Sequence, residues 1–167
     1  MPNSIIHKGR LIELHKEEVP LRDGGHTYFD IVKHPGGAVV LAINESDEIC
    51  LLKQWRHAVN MMVWEVPAGC LEPNEPPLNT AKRELEEEAG VNADKWRDLG
   101  TIVPSPGFSN EVLYLFEAKE LRIGTQNLDD AEQLEVHWLP RPTIKEMIDK
   151  NQILDAKTLS ILAKSGL

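Results

Sequence analysis

Two rhythms of apolar residues run along this chain. Residues 38–43 form an unbroken apolar run, Ala-Val-Val-Leu-Ala-Ile, as expected of a central strand. Residues 48–55 read as the next strand across a turn at 44–47, which predicts a hairpin. A short strand at 63–66 stops at Pro67-Ala68-Gly69, and a loop rich in Pro and Glu follows over 70–77. Further strands are expected at 96–103, 111–118 and 133–139. The other rhythm is helical. Leu78, Ala81, Leu85 and Ala89 recur at helical spacing, which predicts a helix over 78–89, capped by Asn79 or Thr80 and stopped by Gly90. Two more helices are expected near 143–150 and 155–163.

The first 35 residues are different. Short β elements at 5–6, 11–14 and 27–32 surround an Asp23-Gly24-Gly25 turn. Neighbours on a strand point opposite ways, so one of Tyr28 and Phe29 is expected to face a core. Pro35-Gly36-Gly37 breaks the chain, and a soft boundary falls there. The reading is therefore a β-rich N-terminal extension over 1–35 and a main domain over 36–167. The main domain's fold class is α+β, an α/β/α sandwich with a mixed sheet.

Composition narrows the functional classes. At 167 residues the chain is long enough for a core without covalent staples. No apolar run reaches the ~18 residues of a transmembrane helix, and the N-terminus lacks the apolar core of a secretory signal, so no membrane role is expected. Two cysteines, Cys50 and Cys70, make neither a disulfide framework nor a zinc site, so a reducing cytoplasm is the expected location. The net charge of −9 repels nucleic acid over most of the surface. It suits divalent cations, through which a small anionic substrate is still accommodated.

The expected helix at 78–89 carries Glu84, Glu87 and Glu88, related by i, i+3 and i+4 on one face beside the apolar stripe. Hard oxygens gathered in this way suit Mg²⁺. An acidic helix face is more often simply solvated. The wider spacing decides between the two. Gly69, five residues, Glu75, seven residues, Arg83-Glu84-Leu85, one residue, Glu87-Glu88, one residue, Gly90-Val91 resembles the signature of the Nudix hydrolase family at every defined position. At ordinary residue usage such a match arises by chance on the order of once per billion starting positions. The strand order around it agrees with the Nudix fold, so the resemblance extends over roughly residues 36–167.

The resemblance implies a set of roles. Glu84, Glu87 and Glu88 hold Mg²⁺, with Mn²⁺ as a substitute, and the carbonyl of Ala68 adds a ligand. Arg83 orients one of these glutamates, and Glu75 is structural. Ser105-Pro106-Gly107, with Pro106 sixteen residues after Gly90, is similar to a loop of the ADP-ribose pyrophosphatase branch. The segments Gln54-Trp55-Arg56 and Glu65-Val66-Pro67-Ala68-Gly69 are also similar to that branch. They place Arg56 on phosphate or the terminal ribose and Glu65 near the substrate. A catalytic base is expected in the loop before the last strand, with Glu132 first and Asp130 second. Tyr28 is the aromatic expected to stack on the base, often across a dimer interface, since every base presents a π-face. His57, Phe108 and Glu111 are further site candidates.

The expected function is hydrolysis of a nucleoside-diphosphate linkage, foremost ADP-ribose to AMP and ribose 5-phosphate. A broader nucleoside-diphosphate-sugar hydrolase is the alternative. A non-catalytic nucleotide-sensing module is a reading of another class, disfavoured by the retained glutamates and the lack of a basic effector region. Action on capped RNA is disfavoured by charge. A homodimer is expected, because a β-rich segment of 35 residues is small for a core of its own and its edges are safer when paired.

Overall fold

Alternate residues of the central strands face opposite ways, and that alternation builds the molecule. The computed structural model describes residues 4–128 and 133–167. Strand β4 (Gly37–Ala42) is buried at every position. It lies in a four-stranded sheet of order β7-β4-β9-β8 with β7 (Ala68–Cys70), β8 (Val91–Ile102) and β9 (Leu113–Ile123). It runs parallel to β9 and antiparallel to β7. A second sheet has the order β10-β5-β6, from β5 (Glu48–Arg56), β6 (Met61–Glu65) and β10 (Leu134–Pro140).

Val39, Leu41, Ile49 and Leu51 face one side, where they pack with Ile144 and Met147 of α2 (Arg141–Asp149) and Ile161 and Leu162 of α3 (Ala156–Lys164). Ala38, Val40, Ala42, Cys50 and Leu52 face the other, against Ala81 and Leu85 of α1 (Pro77–Ala89). Helices thus cover both faces, and the expected α/β/α sandwich with mixed strand directions is what the chain forms. Strand periodicity of two explains the division of the core into two clusters.

The hairpin expected at 38–55 is corrected. The turn is present, with the Asn44 amide donating to the Glu48 carbonyl and Asp47 at φ 58°. Beyond it only Ile43 and Ile49 make a bridge. The strands then diverge into different sheets, because β4 is already flanked by β7 and β9. The expected cap of α1 is also corrected. Pro76 is the N-cap, with proline at the first helical turn and no side-chain cap bond. Asn79 and Thr80 sit inside the first turn, their amides bonded to the Pro76 carbonyl. Gly90 ends the helix as expected, at φ 67°, with its amide donating to the Glu86 carbonyl.

The N-terminal segment is a meander of β1 (Ser4–Lys8), β2 (Glu13–Pro20) and β3 (His26–Lys33). Leu11 and Ile12, expected in a strand, precede β2, which instead runs on to Pro20. No residue of these three strands is buried. Tyr28 and Phe29 are therefore both exposed, at 43% and 47%, and neither faces a core. The reason is that the described residues bury neither face of this sheet. The meander is fastened at Val32, which donates to the Phe108 carbonyl at 2.7 Å and accepts from the Asn110 amide at 3.2 Å.

Candidate active site

Helix α1 turns its apolar stripe into the core through Ala81 and Leu85, which brings its glutamate face to the rim of the sheet. There a cleft of about 690 Å³ opens, with Arg83, Glu84, Glu87 and Glu88 along one wall. Ala68, Gly69 and Cys70 of β7 form its floor, and Arg56, Glu111 and Lys157 also line it. The sequence-predicted residues Ala68, Arg83, Glu84, Glu87, Glu88, Arg56 and Glu111 are thus brought together from four parts of the chain.

Arg83 is the hub of the acidic wall. Its Nη1 donates to Glu84 Oε1 at 2.6 Å and to Glu87 Oε2 at 3.1 Å. Its Nη2 donates to the Cys70 carbonyl and to Glu75 Oε2, both at 3.2 Å. Glu75 also accepts from the Thr80 hydroxyl at 2.7 Å, so it ties the loop before α1 to the first turn of the helix. Burial works against the Arg83 charge, but Glu75, Glu84 and Glu87 outweigh it and raise the pKa above the usual arginine value. The guanidinium is a permanent cation.

Glu88 is only 3% exposed. Its Oε2 accepts from the Ala68 amide at 2.8 Å, which locks the end of β7 to the last turn of the helix. Gly69 leaves room for the neighbouring carboxylate: a Cβ there would lie 1.9 Å from Glu84 Oε1. This close approach is the physical reason for glycine at that position. Among the described residues, no three His, Cys, Asp or Glu side chains converge on a single point suited to an ion. Arg83 instead draws Glu84 and Glu87 to itself. The donor set of the wall is nevertheless all hard oxygen, carboxylates and a main-chain carbonyl, which fits Mg²⁺, Mn²⁺ or Ca²⁺ rather than a soft metal.

Arg56 stands on the cleft at the end of β5. Its Nε and Nη2 donate to the two oxygens of Glu65, each at 2.6 Å. Glu65 is 3% exposed and lies beneath Arg56 instead of lining the cleft. Burial pushes its pKa up, while the hydrogen bonds and charges of Arg56 and Lys157 outweigh that and hold it below the ordinary carboxylate range.

Ser105, Pro106 and Gly107 do not line the cleft. The Ser105 carbonyl accepts from the Phe108 and Ser109 amides, and the resulting turn presents Phe108 and Asn110 to Val32. Phe108 and His57 are also outside the cleft lining, as is Tyr28, whose ring sits under Lys16 Nζ at 4.7 Å. Asp130 and Glu132 lie outside the described residues. The cleft also contains residues to which sequence reasoning gave no role: Arg10, His34, Gln54, Asn127 and Lys157. Gln54 stands beside the recognised Arg56. Lys157 had no local signal, because its relevance comes from where α3 docks.

Comparisons with known proteins agree with this geometry. The NUDIX domain model matches residues 33–159. This chain belongs to the Nudix family. The ADP-ribose pyrophosphatase of Bacillus subtilis is 37% identical over 155 residues, covering 92% of this chain and 84% of the relative. The methanol dehydrogenase activator of Bacillus methanolicus is 35% identical over 156 residues, with the same 92% and 84% coverage. Among solved structures, an ADP compounds hydrolase superposes with a TM-score of 0.85 over 99% of this chain and 90% of its own, at 17% identity. That likeness concerns the fold.

Proposed function

We propose that this Nudix protein hydrolyses the diphosphate of nucleoside-diphosphate sugars with Mg²⁺, with ADP-ribose as its main substrate and AMP and ribose 5-phosphate as products. The observation that carries the reading is the pairing of one acidic wall, Glu84, Glu87 and Glu88, with a cationic group, Arg56, in one cleft. A diphosphate bridged to a divalent cation has both charges to satisfy. The 37% identical relative named as an ADP-ribose pyrophosphatase supports the choice of substrate.

Glu84, Glu87 and Glu88, with the Ala68 carbonyl, would hold the cation. When bound, it would supply positive charge to offset that of the phosphates and would make a water more acidic as a nucleophile. The protein's own residues do the rest. Arg56, clamped by Glu65, aims its guanidinium at the diphosphate and helps carry charge that builds on the phosphate oxygens. Arg83 offsets the repulsion between the Glu84 and Glu87 carboxylates, because one of its nitrogens donates to both. Water attacks one phosphorus, its proton passes to Glu132 or Asp130, and the bridging P–O bond breaks to release the second phosphate as leaving group. Glu111 lines the cleft near His34 and completes its polar rim. Tyr28, with the Ser105-Pro106-Gly107 turn that helps seat the N-terminal meander, is proposed to act on the base across a dimer. Two free cysteines suit a cytoplasmic setting. Among the described residues, no helix is long and apolar enough to cross a membrane.

The test is a hydrolysis panel with Mg²⁺ and with Mn²⁺, containing ADP-ribose, ADP-glucose, GDP-mannose, UDP-glucose, NADH, a dinucleoside polyphosphate and a nucleoside triphosphate. ADP-ribose is expected to give the highest kcat/KM. Glu88→Gln is expected to lower it by about 10³-fold or more at unchanged fold. Similar rates on several nucleotide sugars would favour the broader hydrolase. Absence of turnover on every substrate would sink the enzymatic reading.

A further inference from the structure

We infer that Lys157, on the C-terminal helix, is a positioning residue that keeps the Arg56 guanidinium available to the substrate's diphosphate by acting through Glu65. The inference rests on the reading of Arg56 as a diphosphate contact.

The geometry is a cluster of four charges, with the Glu88 carboxylate acting on Arg56 from the cleft wall. Glu65 accepts two bonds from Arg56 and a third from Lys157 Nζ, on the same Oε2 that Arg56 Nη2 uses. Lys157 Nζ also reaches Asp155 Oδ2 at 3.1 Å. Two cations thus face two carboxylates. The Lys157 side chain is 15% exposed and the Glu65 side chain 3%, so their pairing is little screened by solvent. Arg56 is 42% exposed and lines the cleft beside Lys157.

The set is held from the helix side. Asp155 caps α3, accepting from the Thr158 amide at 2.9 Å and the Thr158 hydroxyl at 2.7 Å. The same hydroxyl oxygen accepts from the Val66 amide at 3.0 Å, so α3 is pinned to the residue after Glu65. Lys157 therefore meets Glu65 at a fixed place.

Removing the Lys157 charge changes the balance. Two carboxylates, Glu65 and Asp155, would then share the single cation Arg56. Glu65 acts on the Arg56 charge strongly, and Glu88 and then Asp155 act on it at longer range. The guanidinium would be drawn toward the protein's own carboxylates and away from the substrate. Binding suffers, while the acidic wall that supports the chemistry is untouched.

The experiment is a kinetic cycle on the full-length protein with ADP-ribose and Mg²⁺. Lys157→Met keeps the aliphatic stem and loses the charge, and Lys157→Arg keeps the charge. For Lys157→Met we expect KM to rise about tenfold with kcat within about threefold, and Lys157→Arg to restore KM to near wild type. In an Arg56→Ala background, Lys157→Met should change KM by less than about twofold, because the route through Arg56 is gone. An undiminished effect of Lys157→Met in that background overturns the inference and leaves the Arg56 reading standing. An Arg56→Ala variant with wild-type KM overturns the Arg56 reading itself. Failure of Lys157→Arg to rescue KM, in a protein with native circular dichroism, also overturns the inference, because a charge effect would then be excluded. If Lys157→Met does not fold, Lys157→Gln takes its place in the cycle with the same expectations.

Discussion

At the scale of single residues, the site depends on close approaches that leave no space for ordinary substitutions. Gly69 is the clearest. A methyl group there meets the Glu84 carboxylate, the movable end of a side chain, and not backbone. Gly69→Ala is therefore expected to fold, with stability changed by about 1 kcal/mol, while kcat/KM falls by about 100-fold because Glu84 is displaced from the wall. Thermal melting and steady-state kinetics on the same preparation check the two halves. Glu65 gives a pH signature. Its pKa in the folded protein is below the ordinary 4.5. Its paired charge therefore stabilises the fold above that value, and the contribution is lost as pH falls through the lower folded value. Urea unfolding should show wild type more stable than Glu65→Gln at pH 7, with the gap shrinking as pH drops below about 4.5. A gap that widens on acidification would contradict the assignment.

At the scale of elements, the unexpected link is between the C-terminal helix and the strand end that leads into the cleft. The Thr158 hydroxyl is buried and serves two partners, Val66 and Asp155. Thr158→Val keeps the shape but leaves the Val66 amide without its acceptor in a buried place. The expected cost is about 1–3 kcal/mol in chemical denaturation. The sequence placed a helix near 155–163, and α3 spans Ala156–Lys164 with Asp155 as its cap. It could not show that this helix reaches the cleft, because 92 residues separate Lys157 from Glu65. The same limit explains the hairpin expected at 38–55. Local pattern gave two strands and a turn, but the choice of sheet for each strand depended on partners as distant as β9 and β10.

At the scale of the whole molecule, the N-terminal meander is the feature that the chain alone leaves incomplete. Ile5, Ile6, Leu11, Leu21, Tyr28 and Phe29 are all exposed in it, at 43–55%. Apolar residues concentrated on one small sheet are characteristic of an interface. A homodimer at micromolar concentration is expected in sedimentation experiments. Tyr28→Asp and Phe29→Asp probe opposite faces of β3, and at least one should shift the species to monomer. A wild-type monomer over the same range would remove the dimer from the proposal.

The sequence by itself determined the chemistry of the acidic wall. Glu84, Glu87 and Glu88 share a face because helix periodicity is local, and the spacing from Gly69 to Val91 fixes which loop must meet that helix. It also determined the two-sided burial of the central strands, through their unbroken apolar runs. Only the tertiary structure decided what Arg83 and Glu65 hold, that the Ser105-Pro106-Gly107 turn seats the N-terminal meander, and that Lys157 belongs to the cleft. Those outcomes depend on contacts between residues far apart in the chain, and a pattern read over one or two turns contains no information about them.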